Sequence, residues 1–232
     1  SSDLTRIGFF GSHMAAALTA EGIYADLLIA NNVLAHVPDL NDFVRGLSIL
    51  LKPGGVLSIE FPSLLRLIDE NQFDTIYHEH FSYFSLLTAE RALQRHGLAV
   101  FDVEDLATHG GSMRIYAQHP SDSRHPVTER VAAVRRRETA AGLDTSAIYR
   151  EFGKRVRAHG AELVEFLKSA RRSGRSIAAY GAPAKGNTLL NYCQIGCDII
   201  DYTVDRNPRK QGRYLPGSHI PVRHPNVDRK ST

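Results

Sequence analysis

The sequence predicts an α/β protein in which a larger sheet unit is followed by a smaller one near the C terminus. Residues 25–30 form a continuous apolar run with the length of a buried parallel strand. A helical pattern over 40–51 and a second apolar run over 56–60 follow, which is the order of a right-handed crossover unit. The same alternation returns near the C terminus, in strands predicted at 176–180 and 201–205 with a helix between them. These observations indicate two α/β units in series.

The elements of the first unit follow from apolar spacing and from the signals at their ends. A first helix is predicted over 10–22. The helix over 40–51 presents one apolar face, formed by Phe43, Leu47, Leu50 and Leu51. Lys-Pro-Gly-Gly at 52–55 ends this helix, because proline cannot continue it and the glycines allow a sharp turn. Two further strands are predicted at 99–103 and 113–118.

The middle of the chain is predicted to be a helical linker over 119–174. A charged helix follows a Pro- and Ser-containing start, and a longer amphipathic helix covers 145–173. The apolar stripe of the longer helix is interpreted as packing and consists of Ile148, Phe152, Val156, Leu163, Phe166 and Leu167. The predicted division is therefore 1–118, 119–174 and 175–232.

Composition indicates a cytoplasmic protein that binds neither nucleic acid nor membrane. The chain has 232 residues, of which 43% are hydrophobic, and a net charge of only +3. The run Arg135–Arg137 shares a helix with Glu129 and Glu138, which favours a solvated face. No apolar run reaches membrane-spanning length, and the start has no signal-peptide pattern. Cys193 and Cys197 are spaced as neither a disulfide framework nor a zinc knuckle, so both are expected to be small buried hydrophobes.

The segment 73–85 is the first candidate for chemistry. It places His80, Glu79 and Tyr77 among aromatic residues, which is too polar for ordinary core and too aromatic for ordinary surface. A carboxylate beside an imidazole suits proton abstraction at neutral pH, because histidine titrates near about 6.5. A buried, hydrogen-bonded polar cluster is the alternative interpretation.

A metal-dependent hydrolase is a further alternative for the same segment. If residues 77–81 were extended, His78 and His80 would share one face and could ligate one ion together with His36 and Asp74.

The second candidate site lies in the C-terminal unit. Residues 181–187, from Gly181 to Asn187, join a strand to a helix N-terminus, where backbone N–H groups suit an anion. Lys185 and Asn187 would add side-chain donors, although a tight turn that needs glycine explains the pattern equally well. The basic loop that contains Lys210 and Arg213 follows the strand at 201–205, and open α/β sheets bind ligands past the carboxyl ends of their strands.

Four segments together resemble a known family; they are 30–38, 73–85, 108–114 and 180–187. The chain resembles the class I S-adenosylmethionine-dependent methyltransferases, and among them the sugar C-methyltransferases of the tetronitrose type, which act on nucleotide-linked keto-deoxysugars. The resemblance implies a partial Rossmann-like methyltransferase sheet, entered at its fourth strand and closed by an antiparallel edge. It also implies a smaller Rossmann-like unit at the C terminus that docks the nucleotide sugar.

The resemblance implies a mechanism in which His80 removes the proton next to the sugar ketone. Glu79 would orient His80, while Tyr77 and His36 would stabilise the enolate or hold the sugar. The enolate would attack the methyl group of S-adenosylmethionine. The resemblance implies no role for His78. The His-Gly-Gly turn at 109–111 would either close the pocket or form a structural turn.

The resemblance also assigns binding residues and implies that the chain is truncated at both ends. Asn31 and Asn32 would lie on the far side of the cofactor. The expected substrate-docking residues are Gly181, Lys185, Asn187, Lys210 and Arg213. The glycine-rich cofactor turn, the ribose-binding carboxylate and the cysteine-rich zinc domain of relatives do not occur here. Zinc is therefore expected only in that missing N-terminal domain, and this chain is expected to be inactive alone. A non-catalytic nucleotide-sugar binding fragment is the alternative function.

Overall fold

The structure, a computed structural model, describes residues 5–122 and 124–226. It divides the chain into two compact units, of which the first contains Ser1–Glu70 and Glu79–Ile148. The second contains Asn71–His78 and Tyr149–Thr232. The segment that the sequence assigns to a linker thus divides between the two units, and the three-part organisation stays a prediction.

The first unit is a mixed four-stranded sheet in the order β1-β2-β4-β3. Strands β1 and β2 are parallel, whereas β4 is antiparallel to both β2 and β3, as the resemblance implies for this edge. Its elements are α1 (Ser12–Ala20), β1 (Ala25–Asn31), α2 (Leu40–Leu50), β2 (Leu51–Pro62), α3 (Leu64–Asp69), α4 (Leu86–Arg95), β3 (Ala99–Leu106), β4 (Ser112–Gln118) and α5 (Glu129–Ala140). The α/β fold is confirmed.

Helix α2 begins where the sequence predicts and ends one residue earlier, and the Lys-Pro-Gly-Gly segment predicted as a turn belongs to β2. The Asp39 side chain accepts a hydrogen bond of 2.9 Å from the backbone N–H of Asp42, which satisfies one free donor at the helix start. The helix stops at Leu50, before the Lys-Pro-Gly-Gly segment. Its apolar face is buried in the core of the unit, through Phe43, Val44 and Leu47.

Strand β2 runs through the middle of that core. Leu57, Ile59 and Phe61 alternate along it and are fully buried. They pack with Met113 and Ile115 of β4, which are also fully buried. Each such side chain contributes about 1.5–3 kcal/mol of burial energy, so β2 is a rigid support for the loops at its carboxyl end.

Strand β1 lies at the edge of the sheet, as expected of a sheet entered at this strand, although its apolar run taken alone predicts a buried strand. Only β2 pairs with it among the described residues. Leu27 is 57% exposed and Ile29 is 64% exposed, whereas Ala30 on the opposite face is buried. The apolar run therefore does not indicate burial here, and its exposed side chains form an open apolar edge of the sheet.

The second unit contains a three-stranded parallel sheet in the order β5-β6-β7. Its elements are α6 (Ser146–Arg172), β5 (Ala178–Tyr180), α7 (Ala184–Tyr192), β6 (Tyr202–Val204) and β7 (Val222–Arg223). Leu163 and Leu167 of α6 pack against its core, as the stripe predicts, but Phe166 is 70% exposed and that prediction is wrong. Cys193 packs against the same core, whereas Cys197 is exposed, contrary to the prediction for both cysteines. Within the described part of the chain, no helix has the length and apolar character of a membrane span.

Candidate active site

The loop that follows β1 places His36 at the carboxyl end of the first sheet. Asn32 turns the chain in the left-handed region, with φ of +54°, and its backbone N–H donates to the carbonyl of Glu60 at 2.8 Å. A short 3-10 turn, Leu34–His36, follows with Leu34 and Ala35 buried. His36 itself is exposed.

Backbone hydrogen bonds hold the His80 loop against this turn. The carbonyl of Ala35 accepts from the N–H of Phe81 at 2.8 Å and from that of Ser82 at 3.4 Å. Nδ1 of His36 lies 2.8 Å from the carbonyl oxygen of Glu79. The two imidazole rings have centroids 4.8 Å apart and planes tilted by 50°. The structure thus brings together two of the histidines that the sequence singles out.

The contact with Glu79 fixes the tautomer of His36. A carbonyl oxygen can only accept, so Nδ1 of His36 must carry the hydrogen. Neutral His36 then has a lone pair at Nε2, and it can donate from Nε2 only as an imidazolium. A role of His36 as a hydrogen-bond donor to an enolate therefore requires the protonated ring.

His80 is half-buried and has a further aromatic neighbour. The ring of Tyr83 meets it edge-on, with centroids 5.8 Å apart, a contact that the sequence did not single out. Glu79 is exposed, and its backbone carbonyl makes the contact described above, so an orienting role of its carboxylate stays a prediction. Tyr77 and His78 belong to the second unit, and the predicted role of Tyr77 stays a prediction.

The segment 77–81 forms a bend and a turn instead of an extended strand. The condition on which His78 and His80 would share one face is therefore not met. Among the residues that the structure describes, no group of three histidine, cysteine, aspartate or glutamate side chains is placed to hold a metal ion. The geometry gives no support to the metal-dependent alternative.

The buried carboxylate of Glu60, near the end of β2, is hydrogen-bonded to the residues around it. Glu60 is only 5% exposed and accepts from Nη2 of Arg114 at 2.7 Å and from Oγ1 of Thr108 at 3.2 Å. The hydrogen bond that Arg114 donates to Glu60 raises the pKa of the guanidinium. The segment 108–114 therefore ties β4 to β2. Sequence reasoning noted the segment but missed the role of Glu60, which is the last residue of the strand predicted over 56–60.

The turn within this segment requires glycine. Gly111 has φ of +106°, and a Cβ there would lie 2.8 Å from Cγ of Arg66. Its carbonyl accepts from the N–H of Ser63 at 3.0 Å, directly after β2. The structural-turn interpretation is supported for the backbone, and the side chain of His109 lies outside the described part of the chain.

Asn31 and Asn32 stand at the carboxyl end of β1. Asn31 is the last residue of the strand and is exposed, and Asn32 is half-buried at the turn. Open α/β sheets bind ligands at the carboxyl ends of their strands, and the cofactor-binding role of these two residues stays a prediction. They can supply a few hydrogen bonds and no more.

The carboxyl ends of the three strands of the second unit form a second candidate site. Tyr180 ends β5, Arg206 follows β6 and His224 follows β7. Two adjoining clefts, of about 420 and 370 Å³, share Tyr180 and Arg206 as lining residues. Tyr180 is 69% exposed, so its ring is available to a ligand. Sequence reasoning placed β5 and β6 but missed these residues, although each stands directly at or after a strand end.

Gly181 and Lys210, by contrast, are committed to holding the loops together. Gly181 has φ of +94°, and its N–H donates to the carbonyl of Val204 at 2.7 Å. Nζ of Lys210 donates to the carbonyl of Ala182 at 2.8 Å and lies 3.7 Å from Oδ2 of Asp205. Both residues shape the site, and their direct contact with a ligand stays a prediction.

Asp205 is the centre of this arrangement. Its Oδ1 accepts from the N–H of Asn207 at 2.8 Å, and its Oδ2 accepts from the N–H of Ala182 at 2.7 Å. These backbone hydrogen bonds hold the pKa of the carboxyl below its usual value. Asp205 therefore fixes both the Gly181 turn and the loop after β6.

The remaining predicted docking residues stand around the same loops. Lys185 and Arg213 are exposed, and Asn187 is half-buried. Oδ1 of Asn187 is buried and has no hydrogen-bond partner among the described residues. An acceptor in that state can receive a hydrogen bond from a ligand or from water.

Comparison with known proteins gives the following similarities. Residues 107–231 match the family model of a C-methyltransferase C-terminal domain, and residues 8–103 match that of a methyltransferase domain. The C-methyltransferase NovU of Streptomyces niveus is 40% identical over 201 residues, which cover 87% of this chain. The chain spans about half of the length of that relative, 48%.

Two solved structures share part of the chain at low identity. Magnesium protoporphyrin IX methyltransferase from Synechocystis PCC 6803 with bound SAH is 16% identical, with a TM-score of 0.33, over 40% of this chain and 44% of that one. A protein from Pyrococcus horikoshii OT3 is 13% identical, with a TM-score of 0.35, over 49% of this chain and 55% of that one.

Proposed function

Because this chain belongs to the C-methyltransferase family, we propose that the protein of which it forms part is an S-adenosylmethionine-dependent C-methyltransferase. We propose a nucleotide-linked keto-deoxysugar as the acceptor and the cytoplasm as the location. The observation that carries the proposal is the His36–His80 pair, held by backbone hydrogen bonds at the carboxyl end of the sheet.

The reaction requires a base near the reacting carbon and a hydrogen-bond donor near the ketone oxygen. A sugar carbon becomes a nucleophile only after the proton next to a ketone has been removed. His80 is the proposed base: its ring accepts that proton, and the electrons of the C–H bond delocalise onto the ketone oxygen. S-adenosylmethionine, when bound, supplies the electrophilic methyl group.

His36 is the proposed stabiliser of the enolate oxygen. With Nδ1–H directed to the carbonyl of Glu79, a protonated His36 presents Nε2–H as a donor of fixed direction. A preoriented donor is effective because it costs no reorganisation when the negative charge develops. Tyr77 is the proposed second donor, and the Glu79 carboxylate is proposed to orient His80.

Separate sets of residues are proposed to bind the cofactor and the nucleotide sugar. Asn31 and Asn32 fit part of the cofactor, at the carboxyl end of β1. In the second unit, Tyr180 is proposed to stack on the nucleobase of the substrate and Arg206 to pair with its diphosphate. Both residues line the clefts at the carboxyl ends of the strands. Lys185, Asn187 and Arg213 are proposed to add contacts, on a loop that Gly181 and Lys210 hold in place.

The experiment uses the full-length protein with His80→Asn and, as a matched control, His78→Asn. We measure transfer of labelled methyl to a nucleotide-linked keto-sugar, and deuterium exchange of the proton next to the ketone. His80→Asn should reduce both by at least about a hundredfold, with cofactor affinity unchanged. His78→Asn should retain both, since no role is proposed for it. Substantial exchange by His80→Asn would exclude His80 as the base.

A non-catalytic nucleotide-sugar binding module is the second candidate function. The observation that favours it is that both clefts at the carboxyl edge are lined by residues of the second unit alone. Under this function, this chain alone should bind a nucleoside diphosphate, with Arg206→Gln weakening that binding, and it should transfer no methyl group to any keto-sugar tested.

A further inference from the structure

A second basic cleft lies at the opposite edge of the second unit's sheet. It has a volume of about 510 Å³ and is lined by Arg171, Gly174, Arg175, Ser176, Asp201, Tyr202 and Arg223. Ser176 precedes β5 and Asp201 precedes β6, so the cleft lies at the amino-terminal ends of these strands. It shares no lining residue with the clefts around Tyr180 and Arg206.

The single carboxylate of the cleft is already neutralised. Nη2 of Arg171 donates to Oδ1 of Asp201 at 2.6 Å, and Nη1 donates to Oδ2 at 3.2 Å. The N–H of Ile177 also donates to Oδ2 at 2.9 Å. This bidentate pair fixes the wall of the cleft, and Arg171 is the hydrogen-bonded partner of Asp201, whose single charge also attracts Arg223.

Two guanidinium groups therefore remain in excess. Arg175 is exposed, and its backbone carbonyl accepts from Arg171 while its side chain has no carboxylate within ion-pair distance among the described residues. Arg223 is exposed as well, and its guanidinium carbon lies 4.5 Å from the centre of the Tyr202 ring. Stacking on a ring holds a guanidinium in place and leaves its N–H groups free to donate.

The neighbouring helix end does not cancel this positive charge. Helix α6 ends at Arg172, and the carbonyls of a helix end would repel an anion. Three of these carbonyls are already taken by the N–H groups of the following residues: Ser173 donates to Ser169, Gly174 to Arg171 and Arg175 to Ala170. Hydrogen bonding of these three oxygens reduces the repulsion between the helix end and an anion.

We propose that this cleft is a binding site for a phosphate-bearing small molecule, with Arg175 and Arg223 as its charge-pairing residues. Two guanidinium forks match the oxygens of a phosphate or diphosphate group, and the Ser176 loop offers further donors. The site is separate from the proposed substrate cleft, and it does not rest on the methyltransferase proposal.

The test is a protein-observed NMR titration of the chain with inorganic pyrophosphate. Shifts should cluster at Gly174, Ser176 and Tyr202, and the affinity should fall as salt rises. Arg175→Gln and Arg223→Gln should each weaken binding roughly tenfold, because each removes charge-assisted hydrogen bonds from an exposed side chain. An otherwise unchanged spectrum will show that each variant is folded.

The matched control is Arg172→Gln, at the last residue of α6 and close in sequence to Arg175. Arg172 is exposed and paired with Glu165, and it does not line the cleft, so its loss should leave the affinity unchanged. An equal loss in Arg172→Gln, shifts confined to the Tyr180 edge, or no saturable shift would overturn the proposal.

Discussion

Asp205 is expected to hold the loops of the proposed substrate cleft in place, and two substitutions test this. Asp205→Ala removes both carboxylate oxygens, whereas Asp205→Asn keeps one acceptor and places an amide group opposite a backbone N–H. The two hydrogen bonds at stake join Asp205 to Ala182 at 2.7 Å and to Asn207 at 2.8 Å. Lys210→Met is the matched control for the nearby ion pair.

The expected loss of folding free energy follows from the burial of each hydrogen-bond partner. The Asp205 side chain is 15% exposed and Ala182 is half-buried, so that hydrogen bond to a charged acceptor is worth about 1.5–3 kcal/mol. Asn207 is exposed and its N–H can turn to water, which limits the second bond to about 1 kcal/mol. Asp205→Ala should therefore cost about 2–4 kcal/mol and Asp205→Asn about 1–2 kcal/mol. Lys210→Met removes the 3.7 Å ion pair and the hydrogen bond to the Ala182 carbonyl; because the Lys210 side chain is 43% exposed, the two together should cost about 1 kcal/mol.

The pH dependence has a definite sign. Hydrogen bonds from backbone N–H groups lower the pKa of Asp205 below the ordinary value of 3.8. The unfolded chain therefore binds the proton more readily, and the stabilisation is fully present above about pH 3.8. It is lost as the pH falls through the folded-state pKa, and the difference between wild type and Asp205→Asn should shrink in that range.

Amide hydrogen exchange of Thr203 and Val204 measures the opening free energy of the strand beside Asp205. Faster exchange in the order Lys210→Met, Asp205→Asn, Asp205→Ala is expected. Exchange in Asp205→Ala that differs from wild type by less than about 0.5 kcal/mol would refute the reasoning, since it lies below the cost of one lost hydrogen bond.

Three further predictions concern the first unit. Calorimetry on this chain should show no saturable binding of S-adenosylmethionine at micromolar concentration, because Asn31 and Asn32 alone cannot offset the cost of immobilising a flexible ligand; tight one-to-one binding would contradict this. Ile29→Lys should reduce self-association of the chain in light scattering, since a charge on an exposed apolar edge opposes strand pairing, and an unchanged mass distribution would count against edge pairing. Gly111→Ala should lower the free energy of unfolding by about 1–3 kcal/mol, because of its φ and the contact with Arg66. Gly22→Ala, which has φ of +78° but no atom within 4 Å of the added Cβ, should cost only about 1 kcal/mol; equal losses would refute the steric part of the argument.

The regular elements of the fold were predictable where local signals and tertiary packing agree. Helix α2 has an acceptor at its start, an apolar face and a glycine–proline stop, and its bounds differ from the prediction by one residue. Strand β7 has only two residues, too few for any periodicity, and it was not predicted. Phe166 and the exposed face of β1 were assigned to the core because apolar spacing records which residues can be buried, not what is present to cover them.

The candidate sites were predictable in outline only. His36 and His80 are 44 positions apart, and the resemblance alone brought them together, since no local rule joins two such loops. Lys210 was assigned to a ligand because a basic loop after a strand favours one, but its Nζ is used by the carbonyl of Ala182. Whether such a side chain donates to a backbone carbonyl or to a ligand depends on backbone positions that the sequence does not give.

Phe73 limits where the chain can be cut to express the second unit on its own. The second unit includes the short segment Asn71–His78, which is separated in sequence from Tyr149–Thr232. Within that unit the ring of Phe73 lies 5.0 Å from that of Tyr192 and 6.5 Å from that of His159, measured between centroids. A single cut before Tyr149 would leave these two rings without their buried aromatic neighbour. Any attempt to express the second unit on its own must therefore also supply the segment that carries Phe73, either as a fused peptide or as a circularly permuted gene.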